Sequence, residues 1–286
     1  MLQFVAAGYS GLGSGLMRFT SEEMAQTKRF DELYAKSQSD VMLSIERRVC
    51  GCDYGGTSWT TRSEADGLIT LLGLNSRTHL LDLGAGSGWP ALYMAKTSGC
   101  RVTLVDLPPN GLRIAEQRAA KDGISAMVTT RIADAASLSF PDNSFDAISH
   151  SDLLCCLMHK HSVLAACRRI VRPNGRMAFT VISVAPGLSA KQHRRAVENG
   201  PEFIESDDDY TSMLEQTGWK IVAYQDLSAS YAASCSRQLE ADEAHSDDLA
   251  NLIGSNEYLE RVAGWRAKLA AIDDGLIRRE LFLVAP

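Results

Sequence analysis

The segment LLDLGAGSGWPALYMA, residues 80–95, constrains this chain more than any other. A short apolar strand, HLLDL (79–83), runs into Gly84, Gly86 and Gly88. A helical pattern, PALYMAK (90–96), follows at once, with Pro90 in the first turn, where proline is tolerated. A strand that turns through glycines into a helix is the opening unit of a doubly wound sheet, whose ligands lie beyond the carboxyl ends of the strands. The spacing also selects among ligands. The dinucleotide fingerprint needs Gly-x-Gly-x-x-Gly, and here Trp89 stands where its packing glycine belongs. No Gly-Lys-Ser/Thr follows, so the phosphate-cradling P-loop fails as well.

The alternation continues down the chain. RVTLVD (101–106) reads as a second strand and GLRIAEQRAAKDG (111–123) as an amphipathic helix closed by Gly123. MVTTRIAD (127–134), FDAISH (145–150) and RMAFTVIS (176–183) extend the series, the last entered through the turn at 173–175. Continuous apolar strands separated by helices predict a mostly parallel sheet covered on both faces. WKIVAYQDL (219–227) and LIRRELFLVA (276–285) bring the expected strand count to seven. The predicted organisation is a flexible lead over 1–17, a helical arm or lid over 18–61 and a core over 62–227. A helical cap over 228–275 and a last core strand over 276–286 complete it.

Composition then excludes several function classes. A formal net charge of −6 argues against a nucleic-acid binder, which needs a basic face. No apolar run approaches the roughly 18–20 residues that span a bilayer, and the N-terminus makes a poor signal peptide. The seven cysteines contain no Cys-x-x-Cys pair and read as reduced thiols of a cytoplasmic protein. His159 and His161 lack a neighbouring carboxylate or cysteine cluster, so no metal is expected.

The order of motifs resembles the class I S-adenosylmethionine-dependent methyltransferases. LLDLGAGSG (80–88) is similar to their first motif and VTLVDLP (102–108) to the second. RIADAASLSFPDNSFDAIS (131–149) is similar to the third and fourth, and LAACRRIVRPNGRMAFTVI (164–182) to the segment around strand five. The resemblance implies S-adenosylmethionine as cofactor and a Rossmann-like fold. It places Gly84, Ala85, Gly86 and Gly88 against the amino-acid part of the cofactor, where backbone must approach closely. It assigns Asp106 and Leu107 to the ribose, Asp134 and Ala135 to the adenine, and Ser149 and His150 to the methionine end, with Asp82 either fixing the loop or facing the ammonium. Trp59 either stacks near the cofactor or packs in the arm.

SHSDLLCCL (149–157) and the C-terminal region resemble the small-molecule group that methylates phosphoethanolamine, glycine or sarcosine. Cys156 stands where the phosphobase enzymes carry a catalytic histidine, which tells against phosphoethanolamine here. The catalytic candidates are Tyr54, read as lid and proton acceptor or as a packed tyrosine, His150, read as a site residue or as a satisfied buried histidine, and Asp152, read as a rim residue or as a helix N-cap. Asp226 and Tyr231 join them if the cap folds back. The acidic run 206–209 reads as a helix N-terminus. The implied partner is a small-molecule methyl acceptor, with no nucleic acid or membrane, and a homodimer is compatible with the reading. The rival functions are a cofactor-binding sensor or scaffold without catalysis and, against the glycine spacing, an NAD(P) oxidoreductase.

Overall fold

The computed structural model describes residues 19–286, so the lead over 1–17 lies outside the described residues. Two helices form the arm, α1 (Ser21–Lys36) and α2 (Asp40–Cys50). Thr20 starts α1 with a capping box, accepting from the Glu23 N–H while the Glu23 carboxylate accepts from the Thr20 N–H. Helix α3 (Arg62–Leu72) starts the same way, from Thr61 and Glu64, and leads into β1 (His79–Leu83). The core continues as α4 (Ala91–Ser98), β2 (Arg101–Asp106), α5 (Pro109–Lys121), β3 (Val128–Ile132), β4 (Phe145–Ser151), α6 (Lys160–Ile170) and β5 (Val171–Val184). After it come α7 (Ala190–Asn199), α8 (Tyr210–Gln216), β6 (Lys220–Asp226), the cap helices α9 (Ser228–Ala244), α10 (Ser246–Ile253) and α11 (Ser255–Asp273), and β7 (Ile277–Ala285).

The seven strands lie in the order β3-β2-β1-β4-β5-β7-β6. Six share one direction, and β7 alone runs against them, pairing antiparallel with both β5 and β6. Strand alternation divides the core into two layers. Leu81, Leu83, Ile148 and Phe179 pack with Val163, Leu164 and Cys167 of α6 on one face. Leu80, Ala147, Ala178 and Leu283 pack with Leu68 of α3, Leu92 of α4 and Ala115 of α5 on the other. Strand β5 begins five residues earlier than the sequence suggests, at Val171, because Val171 already pairs with Phe145; the 172–175 segment forms an irregularity, and pairing resumes at Arg176 opposite Ala147. The acidic run does open a helix: Asp209 caps α8, accepting from the Ser212 N–H at 2.8 Å. No described helix is long and apolar enough to cross a membrane.

Candidate active site

Strand order reverses between β1 and β4, and the loop after β1 opens there, at the position where doubly wound sheets bind ligands. Gly84, Gly86 and Gly88 all have positive φ, at 65°, 50° and 96°. At Gly86 the need for glycine is also steric. A Cβ there would fall 2.8 Å from the hydroxyl of Tyr34, and one on Gly111 would fall 2.9 Å from the Gly86 carbonyl. Arm, loop and α5 therefore meet at backbone distance. The Ala85 N–H donates to the Val105 carbonyl at 3.1 Å, pinning the loop to β2.

Asp106 ends β2 facing this loop. Its Oδ2 accepts from the Gly86 N–H at 2.7 Å and its Oδ1 from the Leu107 N–H at 2.8 Å. Desolvation raises its pKa to about 6 against the pull of those two amides. Asp82, buried in β1, accepts from the Ser149 hydroxyl of β4, and burial raises its pKa to about 7. Two cavities flank the arm here. One, of about 100 Å³, runs past Asp82, Gly84, Ala85, Gly86, Trp59 and Asp152. The other, of about 90 Å³, runs past Gly84, Asp106, Leu107, Thr57 and Asp152. Phe30 and Tyr34 of α1 line both.

This groove fits S-adenosylmethionine. The glycine cradle admits backbone contact, a carboxylate with a free lone pair on each oxygen stands at the end of β2, and a second acid lies under the loop. Asp134 and Ala135 sit after β3 without lining either cavity. The Asp134 carboxylate accepts from the Ala136 N–H at 2.9 Å, and the Ala135 side chain packs into the core.

The three catalytic candidates are not brought together. The ring of Tyr54 lies against Trp89 and under the Arg118 guanidinium, 4.1 Å from its carbon, and lines a separate cavity on the far side of Trp89. His150 points into the opposite core layer, stacked on Phe179 at 4.6 Å, and lines neither groove cavity. Both its ring nitrogens lack partners among the described residues, and burial drives its pKa down to about 3. Asp152 does reach the groove rim, with a positive φ of 53°. It is not a side-chain N-cap: its carboxylate takes the Arg279 guanidinium at 3.0 and 3.1 Å, and its N–H donates to the Thr180 carbonyl. Arg279 also pairs with Glu64 at 2.9 Å. Asp226 is exposed and accepts from the Ser228 N–H, whereas Tyr231 is buried edge-on against Trp59 at 5.2 Å.

Two functional residues escape the sequence reading. Tyr34 closes the groove, and its signal was the Phe30–Tyr34 pair at i, i+4 on an otherwise polar helix. Arg279 neutralises Asp152, and its signal was a cation on the inward face of β7, in step with Ile277, Leu281 and Leu283.

Known proteins share this arrangement. A family profile described as a methyltransferase domain matches residues 81–179. Phosphoethanolamine N-methyltransferase 1 of Zea mays is 25% identical over 236 residues, covering 82% of this chain and 46% of the relative. The 27-O-demethylrifamycin SV methyltransferase of Amycolatopsis mediterranei is 32% identical over 173 residues, covering 59% of this chain and 63% of the relative. The chain thus spans less than two thirds of the length of these relatives. Haemonchus contortus phosphoethanolamine N-methyltransferase 2, solved with phosphomonomethylethanolamine and S-adenosylhomocysteine, superposes with a TM-score of 0.73 at 21% identity. That match covers 90% of this chain and 59% of that one. The glycine loop, the acid ending β2 and the strand order agree with the match of residues 81–179 to a methyltransferase domain, and the fold is the one these S-adenosylmethionine-dependent methyltransferases share.

Proposed function

We propose that the chain moves the methyl group of S-adenosylmethionine onto a small organic acceptor. The observation that carries the reading is the Asp106 carboxylate at the end of β2, joined through the Gly86 amide to a glycine loop beneath a closed arm. The cofactor, when bound, supplies an electrophilic methyl on a sulfonium. The remaining work belongs to this chain. Asp106 accepts from the ribose hydroxyls, and the Asp82–Ser149 pair keeps a polar floor under the loop. Phe30, Tyr34 and Trp59 exclude water from the groove.

The acceptor enters from the cap side. A cavity of about 150 Å³ adjoins the groove across residues 56–59 and is walled by Leu33, Met42, Ile45, Val49, Trp59 and Trp265. Its charged members are already occupied. Glu46 accepts from the Gly55 and Gly56 amides, and Arg261 pairs with the buried Asp242. An acceptor with an apolar body suits these walls better than a phosphate ester does. None of the three catalytic candidates offers a free base in the groove: Asp152 is neutralised by Arg279, and His150 and Tyr54 point elsewhere. Alignment and desolvation of the acceptor's own lone pair therefore carry the transfer.

The test is an acceptor screen with methyl-labelled S-adenosylmethionine and mass spectrometry of the products. It begins with phosphoethanolamine, sarcosine and hydroxylated apolar compounds. Label in an apolar acceptor supports the reading. Cofactor binding with no product from any class would replace it with a scaffold that binds without turning over.

A further inference from the structure

Behind the glycine loop, on the side of Trp89 away from the groove, lies a cavity of about 410 Å³, within the range of small-molecule sites. Its floor is a run of rings: Tyr54 against Trp89 at 5.2 Å, and Trp89 against Tyr93 at 5.5 Å. Four cationic side chains, Arg47, Arg62, Lys96 and Arg118, line it with only two carboxylates, Asp53 and Asp122. Arg47 and Arg118 share Asp53 at 3.3 and 2.8 Å, and Lys96 and Arg118 share Asp122 at 3.2 and 3.3 Å. The lining carries two more cations than carboxylates in a chain whose formal net charge is −6, and the one further acid at its edge, Asp66, accepts from the Tyr93 hydroxyl at 2.5 Å. Arg62 has no carboxylate within 4.0 Å among the described residues. Its guanidinium carbon sits 4.7 Å from the centre of the Tyr93 ring. It is also the first residue of α3, the helix end at which a cation is disfavoured. Arg62 is thus held over an aromatic ring at the cavity wall without an anionic partner within salt-bridge distance among the described residues.

We propose that this cavity is a second ligand site, taking a small aromatic ring that carries a dianionic group such as a phosphate monoester. The ring stacks on the Tyr54–Trp89–Tyr93 floor, and the dianion matches the surplus of two charges, with Arg62 as its principal partner and Lys96 beside it. Trp89 belongs to both this cavity and the cofactor groove, where its indole N–H donates to the Thr60 carbonyl at 2.7 Å. The two cavities thus share Trp89 as a wall, and the second does not depend on the function assigned to the first.

Calorimetry on the full chain, with and without saturating S-adenosylhomocysteine, tests the site with phenyl phosphate, inorganic phosphate and phenol as probes. Phenyl phosphate is expected to bind once per chain, at least about tenfold tighter than either fragment, with or without the nucleoside. Arg62→Ala should weaken it at least about tenfold, and Lys96→Gln severalfold. Both residues lie on the surface, so circular dichroism and S-adenosylhomocysteine affinity should match the wild type. Displacement by S-adenosylhomocysteine, equal affinity for phenyl and inorganic phosphate, or unchanged binding in Arg62→Ala would each overturn the assignment.

Discussion

Asp106 holds one backbone amide on each carboxylate oxygen, which leaves each oxygen a lone pair for a donor in the groove. Charge-assisted bonds of this kind contribute about 1.5–3 kcal/mol each. Asp106→Ala should therefore weaken S-adenosylhomocysteine binding roughly ten- to several-thousandfold in a folded protein, and an unchanged dissociation constant would place the carboxylate elsewhere. His150 makes the opposite case. Its imidazole lies in the core with no partner among the described residues, and its pKa is driven down to about 3 from an ordinary value near 6.5. Such a group contributes stability that is present above pH 6.5 and lost as pH falls toward 3, because only the unfolded chain takes up the proton. Removing it with His150→Leu should flatten that loss. Between pH 7 and pH 5 the variant should give up about 2 kcal/mol less than the wild type in urea melts, with turnover retained. Equal losses would mean the ring is already charged in the fold. The place of Asp106 beside the glycine loop was legible in the sequence, because an acid that ends the strand after a glycine turn lies at the same edge of the sheet. Tyr54, His150 and Asp152 were not, because nothing local records which face of the sheet or which partner a side chain will find.

At the level of elements, the strands and the glycine turn announce themselves through apolar runs, while the arm does not. Its helix α1 is mostly polar, and it is fixed over the groove by long-range contacts. Asp31 accepts from the Asn110 backbone and side-chain amides at 2.7 and 2.9 Å, and Tyr34 packs against Gly86 and Gly111. Glu46 of α2 ties down the Gly55 and Gly56 amides at 2.6 and 3.1 Å, closing the 51–61 loop onto the glycine turn. Burial lifts the Glu46 pKa against the pull of those amides. The two groove cavities, at about 100 and 90 Å³, are small beside ordinary ligand sites, and both are lined by Phe30 and Tyr34 of α1. We propose that α1 moves to admit the cofactor, the arm opening and reclosing in each cycle. Hydrogen exchange should show the amides of residues 19–61 gaining protection when S-adenosylhomocysteine binds, with the core strands unchanged. Equal protection of the arm in the free and bound protein would show that it is not a lid. The cap helices α9–α11 were legible as an insertion, whereas their contact with the arm, through Trp59, Tyr231 and Trp265, was beyond any local pattern.

On the scale of the whole molecule, the strand order β3-β2-β1-β4-β5-β7-β6 gathers the arm, the core and the cap around one groove, so the protonation state of that groove is linked to global stability. The sequence carried enough alternation to predict a seven-stranded, mostly parallel sheet. It did not reveal that two acids at its centre would be held near neutrality. In the unliganded protein the pKa values of Asp82 and Asp106 are raised to about 7 and about 6, above an unfolded value near 3.9. A raised acid contributes stability that is fully present below its unfolded pKa and is lost as pH rises through the folded one. These two groups therefore favour the empty fold on acidification, over about pH 7 to 4. On the proposed reading, in which ribose hydroxyls donate to the ionised Asp106 carboxylate, ligand reverses the sign for Asp106, because the ribose binds less well once that carboxylate is protonated. At neutral pH, S-adenosylhomocysteine at a hundred times its dissociation constant should stabilise the fold by about 2.7 kcal/mol, read as an upward shift of the melting midpoint. Below about pH 6 each further unit should raise the dissociation constant by up to about tenfold, removing up to about 1.4 kcal/mol of that stabilisation at fixed ligand. Scanning calorimetry with and without the nucleoside at pH 7.5, 6.0 and 5.0 should thus show the ligand-induced shift shrinking stepwise. Asp106→Asn should show a small shift that hardly varies with pH. A wild-type shift that stays constant across the series would mean that the carboxylate ending β2 does not hold the ribose.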